Sequence, residues 1–173
     1  GDYPAVLRKN IKKDTRFHFV NFRAGAVASM GAGRNGTQEM DKVNWMADGL
    51  QADLEMAMQL TLKLFFTSNL EAYKLPLYLE PPQLKVSKNL RVRPWLFRQV
   101  VGEYPVNIAV AAMDSLLMVG LPCDFSGELA LSLYEYARTK NLTLIINSFN
   151  GGYIGYVPDD RWYELNKYET RTM

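Results

Sequence analysis

Asp124 is the residue of this chain best placed to do chemistry. It lies in Pro122-Cys123-Asp124-Phe125, between an apolar run at 115–120 that reads as a buried strand and a helix that Ser126 would cap. In α/β sheets ligands gather beyond the carboxyl ends of strands. A carboxylate there, beside a helix N-terminus, can meet a cation or a reacting group. The next strand signal, at 142–147, runs into Ser148-Phe149-Asn150-Gly151-Gly152-Tyr153-Ile154-Gly155-Tyr156. If the two strands are neighbours, Asp124 and one of these tyrosines come within reach of one ligand. A hard carboxylate oxygen suits zinc, magnesium or calcium. The plainer reading is that Asp124 compensates the positive end of the helix dipole while the tyrosines pack as an aromatic cluster. Cys123 has no histidine near it in sequence to activate its thiol, so it reads as a small buried residue. Glu128 and Glu135 fall on the outer face of the helix.

The elements that must hold these groups can be read from periodicity. Residues 8–16 (RKNIKKDTR) form a polar, basic loop or helix end, and 17–22 (FHFVNF) alternate as a strand does. A glycine-rich stretch follows, with Gly25, Gly31, Gly33 and Gly36 between residues 23 and 37. Thr37 caps the longest helix, over 38–67, with Glu39 and Asp41 near its positive end. A short strand at 75–79 stops at Pro81-Pro82, and 90–101 reads as extended. Two buried strands, 106–113 and 115–120, meet at a tight turn around Met113-Asp114. A helix over 127–140 then leads to the strand at 142–147, and a right-handed crossover makes that strand the parallel neighbour of 115–120. The fold class is α/β: a layered mixed sheet flanked by helices, with a strand–helix–strand unit near the C-terminus.

The 173 residues are 48% hydrophobic and 22% charged, an ordinary globular balance, enough for one domain with a real core. The net charge is +2, from 20 basic and 18 acidic residues. That exerts no long-range pull on nucleic acid, which is excluded as a partner. The single cysteine allows no internal disulfide. No apolar run approaches the roughly 20 residues of a spanning helix, and there is no basic-then-apolar leader. A start at Gly1-Asp2 reads as a trimmed or processed piece of something longer. Lys85, Lys88, Arg91, Arg93 and Arg98 surround Trp95 and Phe97. They read as a solvated sheet edge carrying gatekeeper charges, or as a contact for phosphate or a lipid headgroup.

Four spaced elements fall within about fifty residues of the C-terminal third: Pro122-Cys123-Asp124-Phe125-Ser126, Tyr153-Ile154-Gly155-Tyr156-Val157, Tyr163, and Tyr168-Glu169. Together, residues 121–169 resemble the zinc-site end of the neutral/alkaline (non-lysosomal) ceramidases. That family has Pro-Gly-Glu-Phe-Thr and Tyr-x-x-Tyr-Ile/Val segments, followed by a Tyr and a Tyr-Glu at the same intervals. The resemblance implies that Asp124 and Tyr156 face a zinc ion, Asp124 standing where the family has Glu. It also implies that Tyr153 and Asn150 lie beside the substrate, and that Tyr163, Tyr168 and Glu169 build the surroundings. Nearer the start, residues 19–31 resemble the family's strand, glycine-rich turn and Gly-Asp-Val-Ser-Pro segment. Aligning on Ala24-Gly25-Ala26 puts Gly31 at the family's nucleophile and Ser29 at its Asp, with no Pro following; either Ser29 takes over as the catalytic residue by a small change of loop path, or serine chemistry is absent here. The lone histidine, His18, matches neither of the family's two histidine ligands. A catalytic zinc takes three protein ligands and an open position, so the remaining ligands are expected from outside this chain.

What the resemblance implies is a fragment of a ceramidase-like hydrolase, cutting the amide bond of an N-acyl lipid such as ceramide. Residues 1–173 are then either a single domain or the C-terminal half of a ceramidase-like catalytic domain. The missing N-terminal half is expected as its partner, and the isolated chain is expected to be inactive. Secretion, a periplasmic location or membrane association follows from the same resemblance, with contact to a membrane surface. Two alternatives stay open: a degenerate domain that binds a ligand or partner without catalysis, and a metal-dependent hydrolase of another amide or ester.

Overall fold

The computed structural model describes residues 2–29, 39–60, 69–79, 85–87, 90–102, 106–162 and 165. The chain divides into two compact units, Gly1–Arg23 with Gly31–Phe66, and Ala24–Met30 with Thr67–Met173.

The first unit is a helix pair. Helix α1 (Tyr3–Ile11) starts at Asp2, whose carboxylate accepts from the Tyr3 N–H at 2.7 Å, and Pro4 sits in its first turn with φ already set for a helix. Arg8 and Lys9 complement its negative end. So the basic stretch at 8–16, expected as a loop or helix end, is helical through Ile11. Helix α2 (Glu39–Leu60) carries Glu39 and Asp41 in its first turn, and α1 packs on it with Leu7 and Ala47 buried. Thr37 and residues 61–67 of the expected helix lie outside the described residues. The strand expected at 17–22 is irregular chain. Its alternation has no ladder to join. Arg8 Nε donates to the Val20 carbonyl at 3.3 Å, and Tyr3 meets Phe22 edge-on at 5.8 Å.

The second unit is built on β1 (Leu70–Pro76), the small pair β2 (Lys85–Ser87) and β3 (Leu90–Arg91), helix α3 (Pro94–Val101), β4 (Asn107–Met113) and β5 (Leu116–Gly120). After these come β6 (Asp124–Phe125), helix α4 (Gly127–Thr139), β7 (Thr143–Asn147) and β8 (Tyr156–Val157). The main sheet has the order β1-β4-β5-β7; β4 is antiparallel to β1 and β5, and β5 and β7 are parallel. This is the mixed α/β sheet expected, with β5–α4–β7 as its strand–helix–strand unit. Asp114, at φ 49°, turns β4 into β5; aspartate tolerates this left-handed conformation better than most residues.

Two expectations are corrected here. The strand placed at 75–79 runs over Leu70–Pro76, because β1 pairs with β4 along its whole length, from Leu70↔Met113 to Pro76↔Asn107. Residues 90–101, expected to be extended, form only a short strand before α3. Pro94 in the first turn and Gly102 at φ 83° after the last are start and stop signals that outweigh the β-favouring Trp95, Val100 and Val101.

The core lies where α4 covers β7. Ala26, Leu121, Cys123, Ala130 and Ile146 form it, and Val119, Leu144, Phe125 and Val157 pack around them. The period of a strand separates Ile146, 3% exposed on the α4 face, from Ile145, 39% exposed on the other. Ile146→Ala should therefore cost about 2–4 kcal/mol and Ile145→Ala about 1 kcal/mol or less, measured as the shift in urea unfolding free energy. Equal losses at the two positions would contradict this assignment of faces.

Candidate functional site

The parallel pairing of β5 and β7 ends at Gly120↔Asn147, and both strands spill their following residues over the same carboxyl edge. Residues 121–124 are buried there, held by backbone bonds from neighbouring loops. Leu121 N–H donates to the Asn147 carbonyl at 2.8 Å, Phe149 N–H to Cys123 at 3.1 Å, and Ile154 N–H to Pro122 at 2.8 Å. The short strands β6 and β8 then run parallel, with Asp124 opposite Tyr156 and Phe125 opposite Val157. Asp124 N–H donates to Gly155 at 2.9 Å and Ser126 N–H to Val157 at 3.1 Å.

The carboxylate of Asp124 is the unusual group. Its residue is 7% exposed, and Oδ1 is buried without a hydrogen-bond partner among the described residues. The Tyr156 hydroxyl donates to the same carboxylate. Burial raises the Asp124 pKa above its ordinary 3.8, and the hydrogen bond from Tyr156 acts in the opposite, lesser sense. Burial and the adjacent Asp124 charge also push the Cys123 thiol up to about 11, so it is no nucleophile at neutral pH.

A buried carboxylate oxygen with no donor is the kind of atom a hard cation satisfies. The phenol oxygen of Tyr156 beside it makes a donor set of two oxygens, which fits zinc as part of a larger site. Among the described residues no group of three or more His, Cys, Asp or Glu side chains is arranged to hold a metal. A complete site needs further donors.

Serine hydroxyls secure the start of α4. Ser126 Oγ accepts from Glu128 N–H at 3.2 Å, Ser29 Oγ from Gly127 N–H at 3.0 Å, and Ser148 Oγ from Phe125 N–H at 3.2 Å. Ser29 thus stands at the N-terminus of the helix that begins three residues after Asp124, 98 positions away in sequence. Asn150 reaches the same strand end. A Cβ built on Gly120 would lie 2.5 Å from Asn150 Cγ, so only glycine at 120 admits the carboxamide there. Tyr153 stacks on Phe149 at 5.7 Å between ring centres and is 52% exposed. Tyr163, Tyr168, Glu169 and Gly31 lie outside the described residues. His18 is an exposed residue of the first unit.

Two contributors escaped the sequence reading. Ser148 gave a weak signal, a hydroxyl directly after a strand end. Glu128, assigned to the outer helix face, is instead half-buried and accepts from Trp162 Nε1 at 2.7 Å; nothing in the local pattern announces that contact.

No protein-family model and no curated protein matches the chain. Among solved structures, the crystal structure of neutral ceramidase from Pseudomonas aeruginosa matches over 99% of this chain with a TM-score of 0.69, at 13% sequence identity. The chain spans 37% of the length of that one. The protein is an α/β chain with a ceramidase-like fold, and at this identity the likeness is one of fold. Among the described residues no helix is long and apolar enough to cross a membrane.

Two outcomes follow from the geometry. Because the folded pKa of Asp124 is raised, the native state holds its proton more tightly than the unfolded chain. Stability is then lost as pH rises from 3.8 through the raised value. Chelator-treated wild type should lose unfolding free energy relative to Asp124→Asn over that rise, and a relative gain would mean that the Tyr156 hydrogen bond outweighs burial. Ser29→Ala should remove about 1 kcal/mol through the lost cap on Gly127, measured by urea unfolding; an unchanged midpoint would show that the hydroxyl carries no such load.

Proposed function

We propose that this chain is the C-terminal half of a ceramidase-like catalytic domain that hydrolyses the amide bond of an N-acyl lipid such as ceramide. In this reading Asp124 and Tyr156 supply two oxygen donors to a zinc ion, and segments outside these residues supply the rest. The observation that carries it is the orphaned Asp124 Oδ1 beside the Tyr156 phenol at the carboxyl edge of the parallel strand pair. The four spaced sequence elements and the ceramidase-like fold support the same reading.

Zinc, when bound, supplies a Lewis acid that polarises the amide carbonyl and stabilises the developing oxyanion. The chain's own residues do the rest of the work assigned here. Asp124 and Tyr156 would hold the ion. Asn150, a carboxamide with both donor and acceptor atoms, can orient the substrate amide. Tyr153, stacked on Phe149 and half exposed, offers an aromatic wall to the lipid. Ser29 is retained as the candidate nucleophile, its hydroxyl oxygen lying against a backbone N–H at a helix N-terminus, where negative charge is favoured.

One observation favours the reading without catalysis: Ser29 is already engaged as a cap, which is a sufficient structural reason for a serine there. The chain extended at its N-terminus separates the two readings. It should release fatty acid from an N-acyl sphingosine, with Tyr156→Phe lowering kcat/KM by about 100-fold or more. Ser29→Ala should abolish turnover if Ser29 is the nucleophile. An extended chain that binds the lipid but never cleaves it would establish the binding reading.

A further inference from the structure

The ladder that brings Tyr156 to Asp124 is only two residue pairs long. So short a pairing is marginal by itself. Upstream, β8 is anchored by Ile154, whose N–H donates to Pro122 and whose side chain packs on the core. Downstream of Val157 the chain passes through Pro158 and Asp159 into a short 3₁₀ turn, Asp160–Trp162. There Trp162 Nε1 donates to Glu128 Oε2 at 2.7 Å, across 34 residues. Asp159 closes the turn, accepting from Arg161 N–H at 3.0 Å and pairing with Arg161 Nε at 2.9 Å. The Arg161 guanidinium also lies 3.8 Å from Glu128 Oε1.

Glu128 is itself fixed. It sits in the first turn of α4, where the helix dipole favours a carboxylate, and its N–H is bound by the buried Ser126 Oγ. Ser126 follows Asp124 by two residues and donates its own N–H to Val157. The far end of the tyrosine-bearing strand is therefore tied to the helix that begins directly after the aspartate-bearing β6.

We infer that Glu128 and Trp162 are positioning residues: they form a strap that holds β8 in register with β6 and so fixes the Tyr156 phenol against the Asp124 carboxylate. An indole N–H bonded to a charged carboxylate is a stronger tie than a neutral pair, and it draws in a segment that β8 cannot hold alone. Its bearing on metal binding rests on the proposal that Asp124 and Tyr156 are ligands; the strap itself does not.

Amide hydrogen exchange of the 173-residue chain, treated with chelator, tests it. Trp162→Phe keeps an aromatic ring beside Arg161 and removes the donor to Glu128. The Asp124 and Ser126 amides, which donate to Gly155 just before β8 and to Val157 within it, should exchange about fivefold faster in it, the loss of roughly one hydrogen bond. The Leu121 amide, which donates to β7's Asn147, should keep its rate. Glu128→Ala should behave as Trp162→Phe does, and Glu128→Gln, which retains an acceptor, should restore most of the protection. Unchanged rates at Asp124 and Ser126, or an equal rise at Leu121, would overturn the strap. In the N-terminally extended chain Trp162→Phe should also weaken zinc about fivefold. If the exchange pattern holds while no variant, wild type included, binds zinc, the strap stands and the metal reading falls.

Discussion

One buried carboxylate organises this protein's second unit. Asp124 is drawn out of water at the end of a strand; its carboxylate accepts from a tyrosine hydroxyl, and Oδ1 has no hydrogen-bond partner among the described residues. A carboxylate in that position is expensive for the fold, because burial disfavours its charged form. A hydrophobic residue of similar size would satisfy the core better. In the function proposed above the arrangement is a cation site, whose folding penalty would be offset when the cation binds.

The rest of the unit serves to hold that group still. The parallel pair β5–β7 sets Gly120 and Asn147 at one level, so the segments leaving them can bond across the strand ends. Serine hydroxyls from separate parts of the chain then occupy the backbone donors at the start of α4. Neutral serine oxygens satisfy those donors, so the Asp124 carboxylate is not needed there. The plainer account, an acidic residue compensating a helix dipole, is thereby weakened, because Ser126 is the cap and Glu128 is the acid in the first turn.

Much of this was legible in the sequence, for identifiable reasons. The apolar runs before Pro122 and after Leu142, with Ser126 and a periodic helix between them, specify a strand–helix–strand unit strongly, and its parallel pairing follows from handedness. That alone brings Asp124 toward the loop after β7. Spacing alone leaves open which tyrosine of that loop meets Asp124; the resemblance to the ceramidases' Tyr-x-x-Tyr segment singles out Tyr156, which the register places opposite Asp124. What failed were segments whose patterns lack a partner or carry mixed signals. Residues 17–22 alternate like a strand but find no ladder, and α3 is set by Pro94 and Gly102 against its own aromatic and β-branched content. The Trp162–Glu128 bond was illegible because it joins residues 34 apart through a turn that no periodicity encodes. Ser29's bond to Gly127 is longer-range still; the resemblance of its glycine-rich turn draws attention to Ser29, but nothing in the sequence announces that bond.

The central claim is that Asp124 and Tyr156 are two donors of one metal site. It is tested most directly by zinc analysis and zinc-edge X-ray absorption on the N-terminally extended chain, for wild type, Asp124→Ala and Tyr156→Phe. About one zinc per chain with nitrogen and oxygen donors, lost in Asp124→Ala and weakened in Tyr156→Phe, is the predicted result. An extended chain without zinc, or one that keeps it at full occupancy when Asp124 is replaced by alanine, would contradict the account.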